Sequence, residues 1–190
     1  MRKLIAGMQS SIDAKIAGAE GFADWVETWS DNYNVMPQID ACLLGAKMYV
    51  GYEQYWSAIQ NEPGKPLPMT NRLPTRAELE WARFAKETPH YVLSSSLKSA
   101  LWPNTTIIRS IRDVAALKAR SGKDIYLVGG GGTLESLIDA GLVDELRLHI
   151  HPLIVGAGQA LFSTKQRRGL VLRSVQELKA GRVGLVYGFN

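Results

Sequence analysis

The sequence of 190 residues holds one cysteine, Cys42, and three histidines. A single thiol excludes an intrachain disulfide, and its place in the apolar run Ala41-Cys42-Leu43-Leu44 reads as buried and inert. No apolar stretch approaches the ~18 residues that a membrane-spanning helix needs. The opening Arg2-Lys3-Leu4-Ile5-Ala6-Gly7-Met8 is too short for a secretory signal, so a reducing cytoplasm is the expected compartment, without a membrane partner. Internal repeats and low-complexity segments are also lacking. The net charge of +4 is spread along the chain, with only short pairs such as Arg167-Arg168. That leaves no basic stripe for a nucleic acid, while a mild positive excess suits a small anionic ligand.

At this length, with 46% apolar residues, the chain is expected to form one domain over 1–190. Residues 3–8 read as a strand and Gln9 to Gly21 as a polar, flexible stretch. Phe22, Trp25, Val26 and Trp29 then recur at helical spacing. Ala41–Leu44 is a strand buried on both faces, closed by Gly45, with a helix from near Ala46. Residues 61–74 hold four of the eight prolines and read as irregular; Thr75-Arg76-Ala77-Glu78 is a capping box opening a helix to about Lys86. Strands are expected at His90–Leu93, Thr105–Ile108 and Asp124–Val128, with helices over Ile111–Ala119 and from Leu134 to a stop at Gly141. Glu145–His151 alternates strictly, and Val171–Leu178 and Arg182–Tyr187 flank a turn at Ala180-Gly181. The pattern predicts an α/β fold: a mixed, mostly parallel sheet flanked by helices and ending in antiparallel strands.

In such sheets ligands bind beyond the carboxyl ends of the strands. Three predicted ends carry small or hydroxyl residues: Leu44-Gly45-Ala46, Leu93-Ser94-Ser95, and Val128 followed by Gly129, Gly130, Gly131, Gly132 and Thr133. The four-glycine run is the strongest. Main-chain N–H groups can approach a pyrophosphate there, and the following helix adds its positive N-terminal end. Neither common nucleotide motif explains it. No Gly-Lys-Ser/Thr follows, and Leu134 or Glu135 occupies the third glycine position of the dinucleotide fingerprint. His149 and His151 share one strand face without a third ligand at metal spacing, which reads as a surface or subunit contact and predicts no metal site.

The segment Asp124-Ile125-Tyr126-Leu127-Val128-Gly129-Gly130-Gly131-Gly132-Thr133-Leu134, then Leu137 through Leu146, resembles the dihydrofolate-reductase-like superfamily. His151-Pro152-Leu153-Ile154-Val155-Gly156-Ala157-Gly158 with Leu161-Phe162, and Ser11-Ile12-Asp13-Ala14-Lys15-Ile16-Ala17-Gly18, continue the likeness. More narrowly, these stretches are similar to the reductase domain of the bifunctional riboflavin-biosynthesis deaminase–reductases. The resemblance implies an NADPH-dependent reductase of a small heterocyclic substrate, usually a homodimer. It implies cofactor contacts from Ala17, Gly45, Ala46, Lys47, Met48, Ser94, Ser95, the four glycines, Thr133 and Leu134.

This chain departs from the family where arginines are usual. Ala46 stands in the Gly-Arg-Lys/Arg-Thr-Tyr segment, where Met48 also replaces threonine, and Ser95 follows Ser94. Each missing charge-assisted contact is worth ~1.5–3 kcal/mol, which opens NADH as an alternative cofactor. A non-catalytic ligand-binding protein of the same fold is the alternative function. Lys47, Lys98 and Arg109 are candidate replacement cations. For proton delivery the candidates are Asp24 and Asp13, with Glu27 beside Asp24; Lys15 is a candidate contact for an anionic substrate. Trp25 and Trp29 read as core residues or as walls for a flat heteroaromatic ring.

Overall fold

Short apolar segments alternating with helices bury both their faces by lining up side by side under two helical layers. A computed structural model of the chain describes residues 1–26, 33–67, 71–164 and 166–189. Among these the order is β1 (Leu4–Ser11), β2 (Lys15–Gly18), β3 (Ile39–Gly45), α1 (Ala46–Asn61), α2 (Arg76–Glu87), β4 (His90–Leu93) and β5 (Thr105–Ile108). There follow α3 (Ile111–Ala119), β6 (Asp124–Gly129), α4 (Gly131–Asp139), β7 (Glu145–His151), β8 (Gly158–Ala160), β9 (Leu170–Glu177) and β10 (Val183–Phe189).

Eight strands form one sheet in the order β5-β4-β3-β6-β1-β7-β10-β9, and β2 pairs with β8 apart from it. From β5 to β7 all neighbours are parallel. β10 runs antiparallel to β7 and to β9. The mixed, mostly parallel sheet with an antiparallel end is the architecture expected.

Alternation along each strand sorts the core into two layers. Leu4, Ala6 and Met8 of β1 face Val114 and Leu117 of α3 and Leu134, Leu137 and Ile138 of α4. Ile5 of the same strand points the other way, toward Tyr49, Tyr52 and Trp56 of α1 and Trp81 of α2. Cys42 lies fully buried in this second, aromatic layer.

Four expectations are corrected. Gln9 to Gly21 is not a flexible stretch, because β1 continues to Ser11 and Lys15–Gly18 forms β2. Residues 22–26 make a turn, with the Val26 amide donating to the Ala23 carbonyl, and Phe22 is 70% exposed. Glu27 and Trp29 lie outside the described residues. The last two strands sit one or two residues off the expected bounds, at Leu170–Glu177 and Val183–Phe189. Finally, His149 and His151 are not on the surface: only 7% and 6% of each is exposed.

The irregular connection before α2 is held by one carboxylate. Glu78 is fully buried; it accepts two parallel bonds from the Arg72 guanidinium (2.7 and 2.8 Å), one from the Tyr55 hydroxyl (2.6 Å) and one from the Thr75 amide (2.8 Å). Burial alone would raise its pKa, but the bonds from Arg72, Tyr55 and Thr75 outweigh it and hold the carboxyl at about 2. A carboxyl held below its ordinary 4.5 stabilises the fold fully above that pH and loses the contribution as pH falls toward 2. Glu78→Ala is expected to cost roughly 2–4 kcal/mol in urea unfolding at pH 7, since Arg72 and Tyr55 lose their partner. Glu78→Gln is expected to flatten the acid limb of stability below pH 4.5; an unchanged limb would refute this assignment.

Candidate functional site

β3 and β6 are neighbours, and Leu44 pairs with Gly129. Their carboxyl ends therefore lie side by side, and each feeds directly into a helix: Gly45 into α1 at Ala46, and Gly130 into α4 at Gly131. Two helix N-termini thus open onto one crevice, where their free N–H groups and dipoles favour an anion. Gly130 has φ of +101°, a conformation that costs residues with a side chain, and its carbonyl accepts from the Leu134 amide at 2.9 Å. Thr133 projects from the first turn of α4 against Gly45, where a methyl group on Gly45 would overlap the threonine hydroxyl. Met48, on α1, lies over Gly129: a methyl group there would meet its Cε at 3.3 Å. The structure brings Gly45, Ala46, Met48, the glycine run and Thr133 into one place, with Leu134 buried beneath.

The next strand end is a rigid turn. Ser94 Oγ accepts from the amides of Ser96 (3.2 Å) and Leu97 (2.9 Å). Arg109, from the end of β5, clamps the turn through its Nη1, bonded to the carbonyls of Ser94 (3.0 Å) and Leu97 (2.8 Å). Ser95 is exposed on this turn, as are Lys98 and, on α1, Lys47.

Across the glycine run lies the β2–β8 ribbon. Ala17 is buried within it. A methyl group on Gly131 would meet Ile16 Cδ1 at 2.9 Å and Gln159 Nε2 at 3.1 Å, so both side chains roof the first turn of α4.

Asp13 fastens this ribbon. Its carboxylate accepts from the Ser11 hydroxyl (2.6 Å) and from the amides of Val155 (3.0 Å) and Gly156 (2.8 Å). These bonds, led by that from Ser11, pull its pKa down to about 2. An acid so occupied anchors the loop, and a proton-donor role would first require its bonds to break. Asp24 sits exposed on the turn after β2. Next to Asp13, Ala14 takes a left-handed φ of +56°.

Sequence reasoning missed the residues that meet the histidines. Gln9 and Ser11 pair with His149 and His151 across β1 and β7. His151 Nε2 lies 2.8 Å from Gln9 Oε1, and the Tyr33 ring packs on His149 at 4.2 Å between centroids. Burial first, then Arg182 and His151, push the His149 pKa down to about 4. The alternation of both strands carried this signal, but their pairing did not follow from sequence.

Among the described residues no group of His, Cys, Asp or Glu is placed to hold a metal, and no helix is long and apolar enough to cross a membrane.

Comparison with known proteins defines the class. Dihydrofolate reductase from Enterococcus faecalis, solved with NADP(H), superposes with a TM-score of 0.60 at 17% identity, over 99% of this chain and 96% of that one. A pyrimidine reductase-like protein from Corynebacterium diphtheriae gives 0.64 at 17%, over 100% and 92%. The fold is therefore dihydrofolate-reductase-like. The sequence model of the RibD C-terminal domain matches residues 2–183, and the chain belongs to that family. The uncharacterized protein YyaP of Bacillus subtilis is 32% identical over 196 residues, covering 100% of this chain and 96% of its own length.

Three substitutions test the site's geometry. Gly45→Ala is expected to destabilise by roughly 1–3 kcal/mol through overpacking, with Thr133→Ala in the same chain restoring most of the loss; additive effects would refute the contact. Ala14→Gly relieves a left-handed alanine and is expected to gain about 0.5–1 kcal/mol in thermal unfolding, net of the entropy that glycine adds to the unfolded chain.

Proposed function

We propose that the chain is an NAD(P)H-dependent reductase that transfers hydride to a small unsaturated heterocycle, pterin-like or pyrimidine-like. One observation carries the reading: two helix N-termini at adjacent parallel strand ends, brought so close that Gly45 touches Thr133. Such a pair fits a diphosphate, which needs main-chain donors and an opening free of side chains. Gly45, Ala46, Lys47 and Met48 would hold it from one side, and Gly129, Gly130, Gly131, Gly132, Thr133 and Leu134 from the other. Ser94 and Ser95 would take the adenosine end, and Ala17 the nicotinamide end under the β2–β8 ribbon. The bound cofactor supplies the hydride; the protein orients it and delivers a proton, for which Asp24 is the candidate donor.

NADPH is the proposed cofactor, with NADH admitted because Ala46 and Ser95 bring no charge to the 2′ position. Arg109, fixed on the Ser94 turn, is the cation best placed to compensate. The class of the family and the cofactor of the Enterococcus faecalis enzyme support this reading. Ala46 and Ser95 also favour a second one, a ligand-binding protein that kept the fold without the chemistry.

A homodimer in the cytoplasm completes the proposal. Leu170, Leu172 and Val175 of the edge strand β9 lie opposite Phe189, Tyr187 and Leu185, and they are 37%, 50% and 60% exposed. An apolar stripe of this kind suits burial against a second copy.

The decisive measurement is thermal unfolding with each nucleotide. At 100 times its Kd a cofactor adds about 2.7 kcal/mol, a rise of roughly 5–10 °C for a domain of this size. No shift with NADPH or NADH at millimolar concentration would sink the reductase reading and leave the second. Ala46→Arg is expected to tighten NADPH by roughly tenfold or more; unchanged affinity would refute the placement of Ala46 at a phosphate.

A further inference from the structure

The aliphatic layer thins toward the β5 edge of the sheet. Val114 and Leu117 of α3 are buried there, but Tyr91 of β4 and Ile108 of β5 reach the layer only half-buried. Between α3 and that edge a cavity of about 270 Å³ stays open. Tyr91, Ile108 and Leu117 give it apolar walls, and Ala116, exposed on α3, borders it. The volume falls just under the ~300–1,000 Å³ of sites for drug-sized ligands, so it takes one small ring and no dinucleotide. The cavity is separate from the crevice between α1 and α4: neither Met48, Thr133 nor any of the four glycines lines it.

The polar groups around it donate more than they accept. Asp113 is the one carboxylate, and it is already engaged: its Oδ2 accepts from the amides of Arg109 (2.9 Å) and Ser110 (2.8 Å). Arg109 also lines the cavity, but its Nη1 is turned to the carbonyls of Ser94 and Leu97. Arg120 lies seven residues beyond Asp113, ~10 Å along α3. Its side chain has no hydrogen bond or ion pair among the described residues. The edge strand adds a main-chain donor. Asn104 and Ile108 give their carbonyls to the amides of His90 and Ser94, so Ile107, out of step with both, turns its N–H away from β4. No strand pairs with β5 on that side. Two guanidiniums and this N–H, set against one occupied carboxylate, leave a net positive charge beside apolar walls.

We propose that the cavity between β5 and α3 is a second ligand site, for a small aromatic carboxylate. Tyr91, Ile108 and Leu117 enclose the ring, with Tyr91 as an aromatic wall. The carboxylate goes to Arg120, whose whole guanidinium fork is open to it, and to the N–H of Ile107. Arg109 stays with the Ser94 turn and contributes its charge from a distance. The site does not rest on the reductase reading, because neither helix N-terminus of the crevice takes part.

Benzoate is the probe, followed through the backbone amide ¹⁵N–¹H signals at constant ionic strength. Benzamide keeps the ring without the charge, and acetate keeps the charge without the ring. The expected result with benzoate is a saturable change at Ile107, Ile108, Ala116 and Leu117, and none from Gly130 to Thr133. Benzamide and acetate are each expected to need roughly tenfold more for half-saturation. Ala116→Phe, at an exposed position, fills the cavity and is expected to abolish the response. Arg120→Met, also exposed, is expected to raise the benzoate midpoint roughly tenfold and to leave that of benzamide unchanged. Linear changes with benzoate overturn the proposal. So does a midpoint for benzamide or acetate equal to that of benzoate, or a benzoate midpoint that either variant leaves unaltered.

Discussion

Everything at the carboxyl end of this sheet depends on the close approach of β3 and β6. Because Gly45 touches Thr133, the first turns of α1 and α4 open onto the same crevice instead of diverging with the twist of the sheet. A larger residue at position 45 would wedge them apart. The two helices lie on opposite faces, one over the aromatic layer and the other over the aliphatic one. Both cores therefore press toward this junction, and its geometry is held by packing far from any ligand.

Much of the fold was legible because its signals are local. Thr75 makes the reciprocal cap that its sequence announces, and the apolar runs of β3 and β6 announce strands buried on both faces. The stretch after β1 was not legible. Ser11 to Gly18 is polar and glycine-containing, and it becomes ordered only because residues 155–160 return to it. The Asp13 carboxylate takes amides 142 and 143 positions away. No window of sequence contains that information.

The same limit applied to the site. The glycine run and the end of β3 could be named from composition and resemblance, and the structure sets them side by side at adjacent strand ends. His149 and His151 could be seen to share a strand face. What covers that face could not be seen, since Tyr33 and Arg182 come from opposite ends of the chain. Asp13, a candidate acid by its place in the loop, also fastens that loop through three hydrogen bonds, which no local pattern announces.

The pairing of β2 with β8 has a consequence for how the molecule is assembled. The ribbon that roofs the glycine run joins Lys15–Gly18 to Gly158–Ala160, so it closes a loop of well over a hundred residues. Contacts this distant in sequence form late, after the entropy of the intervening chain has been lost. The crevice between α1 and α4 is built from residues 39–139, with β1 pairing on β6. A chain still emerging from the ribosome would thus present the notch between α1 and α4 before the residues of β8, which roof it, have been made.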